Sequence, residues 1–140
     1  HRLKIPVIGN GNLGDGAAVA YAREHYGVAG AMIGRAALGY PWIFRDIKHY
    51  LQAGQEALSP SLDERWELIL RFAEIMQARP FRQARHNDIG WMTPKLLKLT
   101  NGMIGSKEIR KELGLINNLE DLHHLRNKHL QRWESDLISK

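Results

Sequence analysis

The chain has no cysteine among its 140 residues. That excludes a disulfide framework, a thiolate zinc site and a cysteine nucleophile within it. The absence fits a reducing compartment, and a cytoplasmic location is the expectation. Long hydrophobic runs are missing too: nothing approaches the ~18 apolar residues of a membrane span. The opening His1-Arg2-Leu3-Lys4 carries no signal-peptide pattern and no initiating methionine. An apolar run follows almost at once, and a strand there needs a neighbour that this sequence does not supply. The expectation is therefore a piece of a longer protein.

Acidic residues are the minority charge, 15 Asp and Glu against 20 Lys and Arg, for a formal net charge of +5. The excess is mild throughout, 6 basic against 4 acidic residues in 1–60 and 14 against 11 in 61–140. A global excess this small favours polyanionic partners only weakly, so local clustering decides more. Hydrophobic residues at 44% and charged residues at 25% are those of a globular protein.

The first third reads β-α-β. Ile5–Ile8 is a continuous apolar run of the kind buried on both faces of a sheet. Asp15 to Tyr26 predicts a helix with Ala18, Tyr21, Ala22 and His25 at helical spacing, ended by Gly27. Val28–Ile33 is the second strand, and a unit of this length joins parallel strands. Pro41 suits the first turn of a helix running to Leu51, with Gly54 after it. Residues 53–60 are a polar connector.

Beyond the connector the pattern is helical. Ser61 and Glu64 match a capping box, and Trp66, Ile69, Leu70, Ala73 and Met76 form one apolar stripe. Pro80 stops that helix, and a second is predicted over Phe81–Met92. Thr93-Pro94 reads as an N-cap followed by a first-turn proline. Ser106–Leu113 is a short helix closed by Gly114. Asn118 caps a long last helix carrying Leu119, Leu122, Leu125, Trp133 and Leu137.

Two glycine-bounded turns close the two strands: Gly9-Asn10-Gly11 and Gly34-Arg35. Bare backbone N–H groups at adjacent parallel strand ends make a pocket for a phosphate. The bland alternative is that these glycines only permit tight turns. Two turns at consecutive strand ends, one with Arg35 to add charge-assisted bonds, favour anion binding. Gly9-Asn10-Gly11-Asn12-Leu13-Gly14 also fits the G-x-G-x-x-G dinucleotide fingerprint. That reading needs an acidic residue near the second strand's end, where Gly34-Arg35 stands, and Pro6 is awkward in a central strand. The pair of turns matches instead the phosphate site of (β/α)₈ barrels, built after strands seven and eight.

Ile5-Pro6-Val7-Ile8-Gly9-Asn10-Gly11, with the string Gly30-Ala31-Met32-Ile33-Gly34-Arg35-Ala36-Ala37-Leu38-Gly39-Tyr40-Pro41-Trp42-Ile43-Phe44, resembles the tRNA-dihydrouridine synthases. The resemblance covers about residues 4–52 strongly. Beyond residue 60 it is patchy, resting on helical character, Ile89-Gly90-Trp91 and the Ile109-Arg110 region. It implies the last βαβ of a flavin-binding TIM barrel over 1–58, followed by an all-α, tRNA-binding domain over 59–140. It also implies FMN as cofactor and NADPH as reductant. Asn10, Gly11, Asn12, Gly34 and Arg35 would then hold the FMN phosphate. The family usually has aspartate where Asn12 stands, and its catalytic acid is a cysteine absent here. The chain alone is expected to be inactive, to depend on the preceding part of the same barrel, and to self-associate through open strand edges.

Arg79, Arg82, Arg85 and His86 form a basic cluster, the last three sharing one helix face. Contact with tRNA phosphates and a plain solvated face are both compatible with it. Relatives tend to show Arg-Lys-His where Arg85-His86-Asn87 stands. Lys95 and Lys98 are further RNA-contact candidates, while Lys107, Arg110 and Lys111 are offset by Glu108 and Glu112. His123, His124 and His129 lack the companions of a metal site and read as surface histidines. Trp42, Trp66, Trp91 and Trp133 are expected in cores. Three alternatives remain at this point: another FMN- or phosphate-binding barrel oxidoreductase, an NADP-binding Rossmann protein, and a non-catalytic helical RNA-binding module.

Overall fold

A computed structural model describes residues 4–78 and 89–138. The chain divides into two compact units, 1–59 and 60–140. The first is α/β. Strand β1 (Ile8–Gly9) lies parallel to β2 (Gly30–Ala31), with Ile8 opposite Gly30 and Gly9 opposite Ala31. The ladder is continued by Ala29 N–H to Val7 O and Met32 N–H to Gly9 O, each 2.8 Å.

Both strands are far shorter than the apolar runs predicted, and their surroundings differ. Ile5, Val7 and Ile8 are 69%, 41% and 60% exposed, so the run is not buried on both faces here. A two-stranded sheet leaves each outer edge and much of each face without a neighbour, which accounts for both corrections.

Helix α1 (Gly16–Tyr26) connects the strands. Asp15 is its N-cap, the side chain accepting from Ala18 N–H at 2.7 Å, and Gly27 closes it in the left-handed conformation. Its buried residues are Gly16, Val19 and Ala22. Tyr21 and His25, which share the helical spacing of Ala18 and Ala22, are exposed and stacked at 5.0 Å, with Tyr26 edge-on to both. A 3-10 turn at Arg35–Leu38 follows β2, then α2 (Ile43–Ala53), ended by Gly54. Val19, Ile43 and Ile47 form the small core, with Leu13, Ala31, Ile33, Ala37 and Tyr40 against it. Gly16 is the point where α1 and α2 meet: a Cβ there would stand 2.2 Å from Tyr50 Cβ.

The second unit is helical among the described residues: α3 (Leu62–Gln77), α4 (Thr93–Leu99), α5 (Ser106–Leu113) and α6 (Leu119–Ile138). The capping box is complete, with Ser61 Oγ accepting from Glu64 N–H at 3.1 Å and Glu64 Oε2 from Ser61 N–H at 2.7 Å. The α3 stripe is buried from Leu62 to Ala73, with Met76 half-buried. Pro80 and most of the predicted second helix lie outside the described residues. Gly90–Met92, its expected end, is a 3-10 turn. Thr93 is the first residue of α4 and makes no side-chain cap; Met92 stands at the N-cap position. Asn118 caps α6, its Oδ1 accepting from Asp121 N–H at 2.9 Å. Trp66, Ile69, Ile89, Met92, Leu96, Ile109, Leu113 and Leu122 are fully buried in one core. Of the four tryptophans only Trp66 is fully enclosed; Trp42, Trp91 and Trp133 are half-buried.

Candidate functional site

The segments leaving β1 and β2 at their C-terminal ends line one cavity of about 350 Å³. Asn10, Gly11, Asn12, Leu13 and Gly14 come from the first, and Met32, Gly34, Arg35 and Ala36 from the second. All five predicted cofactor contacts are therefore brought together. The ladder bond from Met32 N–H to Gly9 O holds the two loops side by side. Gly11 has φ 125°, which an L side chain rarely adopts, and Asn12 follows it into the left-handed region at φ 48°.

The glycines around this cavity serve different ends. A Cβ at Gly11, Gly14 or Gly34 would meet nothing within 4 Å, so those positions open onto free space. Gly16 is the opposite case, required by Tyr50. Gly34 needs neither a positive φ nor a close neighbour within the unit, and a small residue there keeps the cavity floor clear. Arg35 is exposed at the mouth, its guanidinium without a hydrogen-bond or ion-pair partner among the described residues. Two glycine-bearing loops around one cavity, with a free cation among its lining residues, are an arrangement suited to an oxyanion.

The start of α1 is not available for that purpose, because the Asp15 carboxylate occupies it. In a dinucleotide site the pyrophosphate sits on this helix N-terminus, and the third glycine packs helix against strand. Here Asp15 takes the amide, and a Cβ added at Gly14 would meet nothing within 4 Å, which counts against the fingerprint reading. The Asp15 role follows the ordinary N-cap preference and was readable from its place before an alanine-rich helix.

In the second unit, Arg79, Arg82, Arg85 and His86 fall outside the described residues. Lys95 and Lys98 are exposed on α4, and Lys95 Nζ lies 5.3 Å from the Trp91 ring centroid, a cation–π contact. Arg110 is committed to structure: it donates from Nε to Thr100 Oγ1 at 3.2 Å and from Nη2 to Asn101 Oδ1. Arg65 supports the same corner, donating to Asn101 O at 2.9 Å. His123 and His124 are exposed, but His129 is only 7% exposed, correcting its reading as a surface residue. Its spacing from Leu122 and Leu125 places it on the apolar stripe of α6, the signal that identifies it.

Comparison with known proteins decides the family. The chain matches the family model described as dihydrouridine synthase (Dus) over residues 1–134. The chain belongs to the dihydrouridine synthase family. Similar curated relatives include a probable tRNA-dihydrouridine synthase of Rickettsia conorii, 32% identical over 121 residues, covering 83% of this chain and 34% of that protein. A tRNA-dihydrouridine synthase B of Pseudomonas aeruginosa is 34% identical over 127 residues, covering 85% of this chain and 34% of the relative. One of Pseudomonas putida is 41% identical over 76 residues, covering 54% and 23%. The chain thus spans about a third of the length of the longer-matching relatives. Among its described residues no helix is long and apolar enough to cross a membrane.

Proposed function

We propose that this dihydrouridine synthase chain supplies the FMN-phosphate cradle and part of the tRNA-holding surface of an enzyme that reduces uridine in tRNA with NADPH. The observation that carries the reading is the cavity at 10–14 and 32–36, with its open glycines and free Arg35. Its place beyond the C-terminal ends of parallel strands is where barrel enzymes hold phosphate groups. Amides of the two loops and Arg35 would hold the phosphate, and the amide of Asn12 would serve where relatives usually have an aspartate side chain. Bound FMN supplies the hydride chemistry of the family. The proton donor, a cysteine in the family, would come from outside these 140 residues, since none is present.

The exposure of Ile5, Val7, Ile8 and Met32 supports a barrel completed by strands from elsewhere in the same protein. For tRNA, Lys95 and Lys98 on α4 and the cluster Arg79, Arg82, Arg85 and His86 are the proposed contacts. Their chemistry is sequence-independent attraction to phosphates.

The test is flavin retention by the longer protein that carries this chain. Arg35→Ala should lower the flavin-to-protein ratio several-fold after gel filtration, and Arg35→Lys should lower it less, since a point charge replaces a planar fork. A ratio unchanged in Arg35→Ala would remove the phosphate role.

A further inference from the structure

The histidine misplaced by its sequence setting stands at a junction of three helices. His129 of α6 lies with its ring against Trp66 of α3, centroids 6.1 Å apart and planes within 27°. Its Nε2 is 3.4 Å from Glu112 Oε1 of α5, near enough for electrostatic pairing but not aligned as a hydrogen bond. Trp66 Nε1 is likewise buried without a hydrogen-bond partner. The other carboxylate oxygen of Glu112 accepts from Lys128 Nζ at 2.6 Å. Beside the ring opens a cavity of about 230 Å³ whose lining includes Leu62, Ile104, Glu108, Arg132 and Trp133.

We propose that this α3–α5–α6 junction is an acid-sensitive latch, in which protonation of His129 between Trp66 and Glu112 loosens the helical unit. A neutral imidazole suits the site: an apolar ring face on Trp66 and one edge toward a carboxylate. An imidazolium does not. It would lose its water on burial, and it shares the nearest anion, Glu112, with Lys128. Lys128 and Arg132 on its own helix both oppose a further positive charge. Glu108 of α5 lines the cavity rather than touching the ring, and from α3 come Leu62 and Trp66, with Asp63 engaged by Arg126 at 2.7 Å. Relief of the charge requires water to enter through the cavity, and that separates Trp66 from His129.

Burial accordingly holds His129 below the ordinary 6.5, outweighing the opposite pull of Glu112. A histidine with a lowered folded value binds its proton more readily when unfolded. The stability it gives is therefore full above about 6.5 and is lost as pH falls through the lower folded value. Glu112, itself lowered chiefly by the Lys128 hydrogen bond, loses its contribution only below its ordinary 4.5. Mild acid thus isolates the histidine.

The experiment is an NMR titration of the histidine rings of the 140-residue chain from about pH 8 to about pH 5, with thermal unfolding alongside. His129 should titrate below the ordinary 6.5, with the Trp66 indole signal moving at the same pH. The thermal midpoint of the helical unit should fall by about 5 °C across that range. His129→Gln should lose most of that fall, while His124→Gln should keep it. A His129 that titrates at or above 6.5 overturns the proposal, as does an undiminished fall in His129→Gln. Should His129→Gln not fold, the ring titration of the unsubstituted chain decides alone.

Discussion

Replacing Gly16 by alanine sets two physical effects of opposite sign against each other. Helix propensity favours the change by up to about 1 kcal/mol. Packing opposes it, because the added carbon would lie 2.2 Å from Tyr50 Cβ and 2.4 Å from Cγ. Carbon atoms in contact need about 3.5 Å or more, so the helices α1 and α2 must part by more than about 1 Å. Rotating the tyrosine does not help, since the collision is with its Cβ, which no side-chain torsion moves. Overpacking of this kind costs about 1–3 kcal/mol, and the steepness of this contact puts Gly16 at the upper end. The net expectation is a loss of about 2 kcal/mol, read as a fall of roughly 8–16 °C in the thermal midpoint of a unit this small. Circular dichroism melting of the chain measures it, with Gly14→Ala as the companion. That variant places its Cβ in open space and should melt within about 0.5 kcal/mol of the parent. A Gly16→Ala chain that melts at or above the parent would refute the packing argument.

Other outcomes follow from the helical unit. Ser61→Ala breaks the capping box and should cost about 1 kcal/mol of stability, measured by denaturant unfolding of the second unit. Lys128→Met removes the main cause of the low Glu112 value, so the carboxylate should titrate closer to 4.5 by NMR and the acid loss of stability below that pH should shrink. Removing Lys95 and Lys98 together should weaken tRNA binding at low salt and reduce the salt slope of the affinity by about 1–2. Equal slopes for parent and variant would take α4 out of the RNA surface.

Local chemistry was legible in the sequence wherever a structural device is completed within a few residues. Ser61 with Glu64, Asn118 with Asp121, Gly27 and Gly54 all act within one turn, and their roles follow from residue type and spacing. The cavity at 10–14 and 32–36 was legible because each loop follows its own strand and the strands are neighbours in sequence. What depends on distant partners was not. The apolar run at Ile5–Ile8 reads as doubly buried, yet it is exposed, because the sheet it joins has only two strands among the described residues. Gly14 and Gly16 look alike in the string, and only the approach of Tyr50, more than thirty positions on, separates an open floor from a helix contact. Arg110 reads as one more surface cation until the Thr100–Asn101 corner folds back against it. His129 lies between these cases, because its position on an apolar stripe was visible while its stacking on Trp66 was not.

The capping box at Ser61 has a consequence for how such a protein is assembled over evolution. The polar connector is held from the side of the first unit, Arg45 donating to Leu58 O at 2.8 Å, whereas the start of α3 is capped by residues 61 and 64. The instruction to begin the helical unit therefore travels with that unit. A recombination event cutting between Leu58 and Ser61 would sever neither device. The signal that starts the helical half is thus self-contained, its capping pair lying wholly within that unit.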